Sequence, residues 1–372
     1  MKKITVLGAG LVGNAIALDL AKHYEVCSAD ASGDALAKLQ ACGIRTVQTD
    51  LTDAAALKSA ISEADLVVGA LPGFLGFEAL KRCIEAGKNV VDISFFPEDA
   101  FHLDELAKRN GVTAVVDCGV APGMGNVILG YHHAHMQVNS FRCWVGGLPQ
   151  IREWPWEYKA VFSPVDVIEE YLRPARYVEG GRLVVREALS DPELIFIDGM
   201  GTLEAFNSDG LRSLIRTMPD IPNMIEKTLR YPGSIEYLRV LRAAGYFSYE
   251  EIDVKGQKIR PVDVTAKLLF PKWKLKPGEG DITVMRIVVE GLENNRPQNY
   301  TYDLLDKYDP ETDTISMART TGYTCSAVAK LVLSGRFARK GICPPEYIGA
   351  EPGNLKTILA YLNDRNVQYL QH

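Results

Sequence analysis

The sequence predicts an α/β fold: a doubly wound parallel sheet, followed by a second α+β domain with a mixed or antiparallel sheet. Three observations predict it. Six short, continuous apolar runs alternate with helical patterns over the first 120 residues. A glycine turn joins the first of these strands to its helix. Beyond residue 124 the rhythm changes to hairpin-linked strands, which pair antiparallel.

Taken in order, an apolar strand begins at residue 4 and an amphipathic helix covers 11–22, with a second strand over 24–29 ending in Asp30. A helix over 34–41 leads to a strand at 45–48, and Thr52 has the character of an N-cap for a helix beginning at Asp53. The run 65–71 reads as a strand closed by Pro72-Gly73. A helix near 77–85 ends at Gly87, 89–93 is the next strand, and a charged helix over 98–110 precedes the strand 113–116. In the remainder, 141–145, 194–197, 283–289 and 300–305 read as strands, the last two joined by a polar turn at Glu293-Asn294-Asn295. Trp154-Pro155-Trp156 and Pro271 to Pro277 read as loops, and helices over 324–334 and 355–364 are placed to return over the first sheet.

The turn Gly8-Ala9-Gly10-Leu11-Val12-Gly13 is a GxGxxG pattern in a strand–turn–helix context, which identifies a Rossmann dinucleotide site. Gly8 permits the tight turn, Gly10 lets the backbone approach a pyrophosphate, and Gly13 lets the helix lie close on the strand. The phosphates then face the N–H groups at the helix start, at Leu11 and Val12. Asp30, roughly 20 residues beyond the glycines, suits the adenosine ribose hydroxyls and would repel a 2′-phosphate, so the expected cofactor is NAD. Ligands in such sheets bind at the carboxyl ends of the strands. That rule adds Leu71, Pro72, Asp92 and Ala121 as cofactor contacts and Ser94 as a substrate contact.

Composition excludes several function classes. A formal charge of −6, with 47% hydrophobic and 24% charged residues, describes an ordinary globular chain and argues against a nucleic-acid partner. The basic start Met1-Lys2-Lys3 resembles a secretory leader, but Asp19 and Lys22 interrupt the apolar stretch that follows. Seven cysteines without CxxC spacing read as reduced thiols in a cytoplasmic protein. No apolar run approaches the ~18 residues of a membrane helix. His132, His133 and His135 lack a cysteine or carboxylate at ligand spacing, so no metal is expected and a helix exposing its histidines is.

Three further stretches carry a resemblance. They are Asp117-Cys118-Gly119-Val120-Ala121-Pro122-Gly123-Met124-Gly125-Asn126; Val145-Gly146-Gly147-Leu148-Pro149 with Tyr158-Lys159-Ala160-Val161-Phe162-Ser163-Pro164; and the set Glu204 to Gly210, Thr228 to Gly233 and Met317 to Tyr323. Together they resemble the saccharopine dehydrogenase-like family, nearest its lysine 6-dehydrogenase branch. The resemblance implies NAD(P)-linked oxidation of a carbon bearing nitrogen. It also implies a Rossmann domain at 1–123, completed by 318–372, and a domain at 124–317 for substrate binding and homo-oligomerisation, as a homodimer or larger. Saccharopine reductases carry Asp where this chain has Ala121, and Arg-Asp where it has Ser208-Asp209. Losing that Arg removes a grip on a second carboxylate and favours free lysine. Ser234 stands where the lysine branch often has His.

On lysine, a hydride leaves Cε, and water hydrolyses the resulting imine to the semialdehyde and ammonia. The ε-ammonium, with a solution pKa of ~10.4, must first lose a proton. Asp117 is the first candidate to orient or deprotonate the amine, its alternative being a loop cap. Tyr158 and Lys159 follow, with a surface pair as their alternative. Arg230 and Tyr231 suit the α-carboxylate, unless Arg230 is ion-paired within its own domain. Asn207, Ser208 and Asp209 suit the α-ammonium, unless they form a simple turn. Trp154 and Trp156 anchor their loop or an oligomer contact, or line a pocket for the lysine methylenes. The competing readings are a saccharopine dehydrogenase or related carboxyamine reductase, and a nucleotide-sensing Rossmann protein without catalysis.

Overall fold

A computed structural model describes residues 1–162, 164–276 and 278–372, so Ser163 and Pro277 of the sequence reading lie outside the described residues. The chain forms two compact units, residues 1–135 with 318–368 and residues 136–317 with 369–372.

The strands in chain order are β1 (Lys3–Leu7), β2 (Glu25–Asp30), β3 (Arg45–Gln48), β4 (Leu66–Gly69), β5 (Asn89–Asp92), β6 (Thr113–Val115), β7 (Gln137–Pro149), β8 (Ala175–Glu179), β9 (Arg182–Arg186) and β10 (Glu193–Ile197). They continue with β11 (Gly201–Asn207), β12 (Met224–Arg230), β13 (Ile252–Val254), β14 (Gln257–Ile259), β15 (Asp281–Glu293), β16 (Arg296–Lys307), β17 (Gly341–Cys343) and β18 (Tyr369–Gln371).

In the first unit, seven parallel strands lie in the order β17-β6-β5-β4-β1-β2-β3. The central strands are buried on both faces, which is why they read as unbroken apolar runs. The doubly wound sheet is as expected, with one strand more. Gly341-Ile342-Cys343 carries no strand signal of its own and becomes one only by pairing with β6. Local boundaries also differ. Asp53, not Thr52, caps the helix Ala54–Ala60, its Oδ1 accepting from the Ala56 N–H at 2.7 Å, while the Thr52 hydroxyl donates to Asp50. The helix after Pro72 begins at Gly73 rather than near 77. The charged stretch 98–110 divides into a 3₁₀ turn, Ala100–Leu103, and a helix, Asp104–Arg109.

The helix Met124–His133 belongs to the first unit, beyond the boundary expected at 123. His132 is buried on it, against the expectation of exposed histidines, and its ring meets Tyr131 edge to face. Among the described residues no group of three or more His, Cys, Asp or Glu could hold a metal, and no helix is long and apolar enough to cross a membrane.

The second unit is built on a mixed sheet in the order β10-β11-β12-β7-β15-β16-β18, with β8 and β9 attached beside β12. Among the described residues, only β12 and β7 pair parallel in this sheet. Asn294 and Asn295, with φ of 51° and 61°, make the two-residue turn between β15 and β16, the left-handed pair that a tight hairpin requires. Pro271 lies inside the helix Pro261–Trp273 instead of a loop. The helix Ser316–Leu333 starts well before 324, because the Asp281 carboxylate accepts from the N–H groups of Ser316 and Met317 at 2.6 and 2.9 Å.

Candidate functional site

In the first unit the candidate site is built on the glycine turn between β1 and the helix Leu11–Leu20. Gly8 has φ of 103°, and a Cβ there would stand 2.4 Å from the Ala70 carbonyl oxygen; at Gly13 a Cβ would stand 2.1 Å from the Gly8 oxygen. Both positions need glycine for close backbone contact. Gly10 is different: it is exposed, with nothing within 4 Å of an added Cβ. That open approach over a helix N-terminus fits a pyrophosphate. Leu11 is exposed and Val12 half-buried at the same helix start.

Asp30, at the carboxyl end of β2, ties this turn down. Its Oδ2 accepts from the Ala9 N–H at 2.7 Å and its Oδ1 from the Ser32 N–H at 2.8 Å. Each oxygen keeps a further lone pair, so the half-buried carboxylate can also accept from ribose hydroxyls. Leu71 and Pro72 follow β4 and are half-buried. Asp92 and Ser94 follow β5 and are both buried, the Ser94 N–H donating to Asp92 Oδ1 at 2.7 Å. Asp117 follows β6, buried, with φ of 54°, and it opens a loop that carries half-buried Ala121. All these residues lie at carboxyl ends of parallel strands, where this sheet type takes its ligand.

In the second unit Arg230 is almost fully buried at the end of β12. Its guanidinium carbon lies 4.5 Å from the Tyr158 ring centroid, 5.8 Å from Phe206 and 5.9 Å from Tyr171. One terminal nitrogen donates to Glu170 Oε2 at 2.9 Å and to the Tyr171 hydroxyl at 3.3 Å. Burial works against its charge, but Tyr171, Tyr158 and Glu170 outweigh that and hold Arg230 above its ordinary pKa. Burial also pushes Tyr158 well above its ordinary value, so this phenol is protonated. The Arg230 Nε, the Tyr158 hydroxyl and the Trp273 indole N–H are all buried with no hydrogen-bond partner among the described residues. Trp273 packs edge to face on Tyr158, with centroids 5.5 Å apart. Three unmatched donors in a packed aromatic cluster are chemically suited to an anionic oxygen ligand.

Two family models cover nearly the whole chain. The saccharopine dehydrogenase NADP binding domain matches residues 4–115, and the saccharopine dehydrogenase C-terminal domain matches 119–367. The chain belongs to the saccharopine dehydrogenase family. The L-glutamate-forming, NADP(+)-dependent saccharopine dehydrogenase of Schizosaccharomyces pombe is 27% identical over 72% of this chain and 64% of its own length. Its counterpart from Pyricularia oryzae is 27% identical over 60% and 52%. The chain therefore spans about half to two thirds of the length of these relatives. Carboxyaminopropylagmatine dehydrogenase of Synechocystis is 22% identical over 95% of this chain and 94% of its own. The apo saccharopine dehydrogenase (L-Glu forming) structure from Saccharomyces cerevisiae shares the fold, with a TM-score of 0.79 at 20% identity over 100% of this chain and 99% of that one. The first unit is thus the nucleotide-binding Rossmann domain of this family.

Within this family framework the residues expected to form the site are only partly brought together. Tyr158 meets Arg230, and both are buried rather than at the surface. Tyr231 does not join Arg230. It packs with Leu148, Leu203 and Leu229 in another cluster, and its hydroxyl donates to the Pro149 carbonyl at 2.9 Å. Successive strand residues point to opposite faces, and that separates the pair. Lys159 is buried and ion-paired with Glu153 at 3.0 Å and Glu279 at 3.7 Å. Asn207 donates to Asp191 at 2.8 Å, Ser208 accepts from Thr228 at 2.8 Å, and Asp209 holds Arg176 through two contacts of 2.8 Å. These three do not converge on one group. Trp154 is exposed, while Trp156 stacks edge to face on Trp273.

Sequence reasoning missed Glu170, Tyr171 and Trp273. The only available signal was indirect: a buried arginine demands a counter-ion and apolar walls. Glu170 lies 60 positions from Arg230, so nothing local pointed to it.

Proposed function

We propose that this family member is an NAD-dependent dehydrogenase of CH–NH or CH–NH2 donors that deaminates L-lysine oxidatively at its ε-carbon, giving 2-aminoadipate semialdehyde, which cyclises to the piperideine carboxylate. The observation that supports an amino-acid substrate is the set of unmatched donors in the aromatic cluster around Arg230. The unpartnered Arg230 Nε, Tyr158 hydroxyl and Trp273 N–H offer fixed donors to a carboxylate, and the rings supply apolar walls for methylenes. NAD is preferred because Asp30 ends the second strand with a carboxylate whose charge would repel a 2′-phosphate, and the next basic residue after it is Lys38. A bound nicotinamide supplies the hydride acceptor. Asp117, buried at the carboxyl end of β6, is the residue assigned to take or orient the amine proton.

A second reading, saccharopine dehydrogenase or a related carboxyamine reductase, is favoured by the names of the curated relatives. Against it, Ser208 pairs with Thr228, and the guanidinium meeting this segment, from Arg176, is already held by Asp209. Steady-state assays of the purified full chain decide between them. NADH formation from lysine and NAD alone supports the first reading, and turnover only with saccharopine or another secondary amine supports the second. Tight dinucleotide binding without turnover on any amine would mark a nucleotide sensor.

A further inference from the structure

The loop that bears Asp117 and Ala121 ends on the helix Met124–His133, and this helix packs against the short helix Pro345–Ala350 almost backbone to backbone. A Cβ at Gly130 would stand 2.0 Å from the Glu346 carbonyl oxygen, and one at Gly349 would stand 1.9 Å from that of Val127. Two glycines facing in opposite directions thus lock the helices at a separation no side chain would allow. At that separation Glu346, with 0% exposure, meets Asn126, with 2%.

Asn126 Nδ2 donates to Glu346 Oε2 at 3.1 Å, and Asn126 Oδ1 accepts from the Gly123 N–H, also at 3.1 Å. A carboxylate can only accept. Glu346 therefore selects the one amide orientation in which the Asn126 oxygen faces Gly123 and holds the end of the loop. With the amide flipped, two donors would oppose each other at Gly123, a buried mismatch.

We propose that Glu346 is a positioning residue for the dinucleotide end of the first unit. It acts through the amide of Asn126 on the loop from Asp117 to Asn126. The inference rests on the reading that this loop borders the nicotinamide cofactor.

The test is a titration of the full-length protein with NADH and NADPH, followed by dinucleotide fluorescence, alongside thermal melting. Glu346→Met, which removes the acceptor at similar volume, should weaken binding of the preferred dinucleotide about tenfold. Glu346→Gln, which can still accept through Oε1, should stay within about threefold of wild type. The double variant Glu346→Met/Asn126→Ala should bind no more weakly than the worse single variant, because both remove one relay. If Glu346→Met folds poorly, Asn126→Ala alone must show the loss. Wild-type affinity in Glu346→Met or Asn126→Ala, or equal losses in the Met and Gln variants, would overturn the inference. Binding of neither dinucleotide by the wild-type protein would overturn the cofactor reading itself.

Discussion

The guanidinium of Arg230 lies 4.5 Å from the ring centroid of Tyr158, and both residues are buried in the second unit with one polar atom each unmatched. Arg230 is ion-paired with Glu170 within its own unit, and the proposed substrate role rests on the donor that this pair leaves unmatched. Glu170 and the Tyr171 hydroxyl satisfy one terminal nitrogen, while Nε is left over. Arg230→Lys keeps the charge near Glu170 but cannot reproduce the planar fork. It should raise the amino-acid KM about 10- to 100-fold with the NADH dissociation constant unchanged. An unchanged KM in a variant that melts normally would remove Arg230 from the substrate site.

Tyr158→Phe tests the same cluster with less disturbance. The ring remains against Arg230 and Trp273, and only the unmatched hydroxyl is lost. Because the hydroxyl has no partner among the described residues, its removal should leave the melting temperature unchanged or slightly raised. The same change should raise the substrate KM about 5- to 20-fold if the hydroxyl donates to a substrate carboxylate. Calorimetry and initial rates on one preparation check both halves.

Asp30→Ala removes an acceptor for two backbone N–H groups as well as the charge proposed to face the ribose. NADH binding should weaken about tenfold, and the preference for NADH over NADPH should narrow or reverse. Fluorescence titration with both dinucleotides checks this, and tighter NADPH binding by the wild-type protein would overturn the NAD assignment.

Asp281 gives the fold a pH dependence. Burial pushes its carboxyl up to about 6, against the pull of the Ser316 and Met317 N–H groups and with Asp306 nearby adding to the rise. A folded-state value above the unfolded one favours the protonated form, so the stability it contributes is complete below about pH 4 and is lost as pH rises through about 6. Asp281→Asn should therefore be less stable than wild type at pH 4 by a margin that shrinks by roughly 3 kcal/mol at pH 7. Urea unfolding at the two pH values measures that change.

Asp19 is buried on the first helix and holds the closing helix by accepting from Arg365 Nε at 2.8 Å and the Tyr361 hydroxyl at 2.7 Å. Arg365→Met leaves this carboxylate with Tyr361 and a more distant Lys22 at 3.4 Å. The expected loss of stability is about 3 kcal/mol or more. Denaturant midpoints check it, and a midpoint equal to wild type would show the pair to be dispensable.

The parts of this protein that the sequence by itself determined are those governed by neighbours in the chain. Alternating apolar runs specified the parallel sheet and the Asn294-Asn295 turn specified the long hairpin, because each depends on backbone conformations set within a few residues; Gly8, Gly13 and Asp30 were legible as a recurring pattern of spacing, although Gly8 meets Ala70 and Asp30 meets Ala9 only in the folded chain. Tertiary structure alone decided the rest. Strand alternation sent Arg230 and Tyr231 apart, packing brought Glu170, Tyr171 and Trp273 to Arg230, and Gly341–Cys343 became a strand only against β6. Where a buried charge finds its counter-ion, and which donors stay unmatched, depends on contacts between residues far apart in the chain, and no local pattern records those.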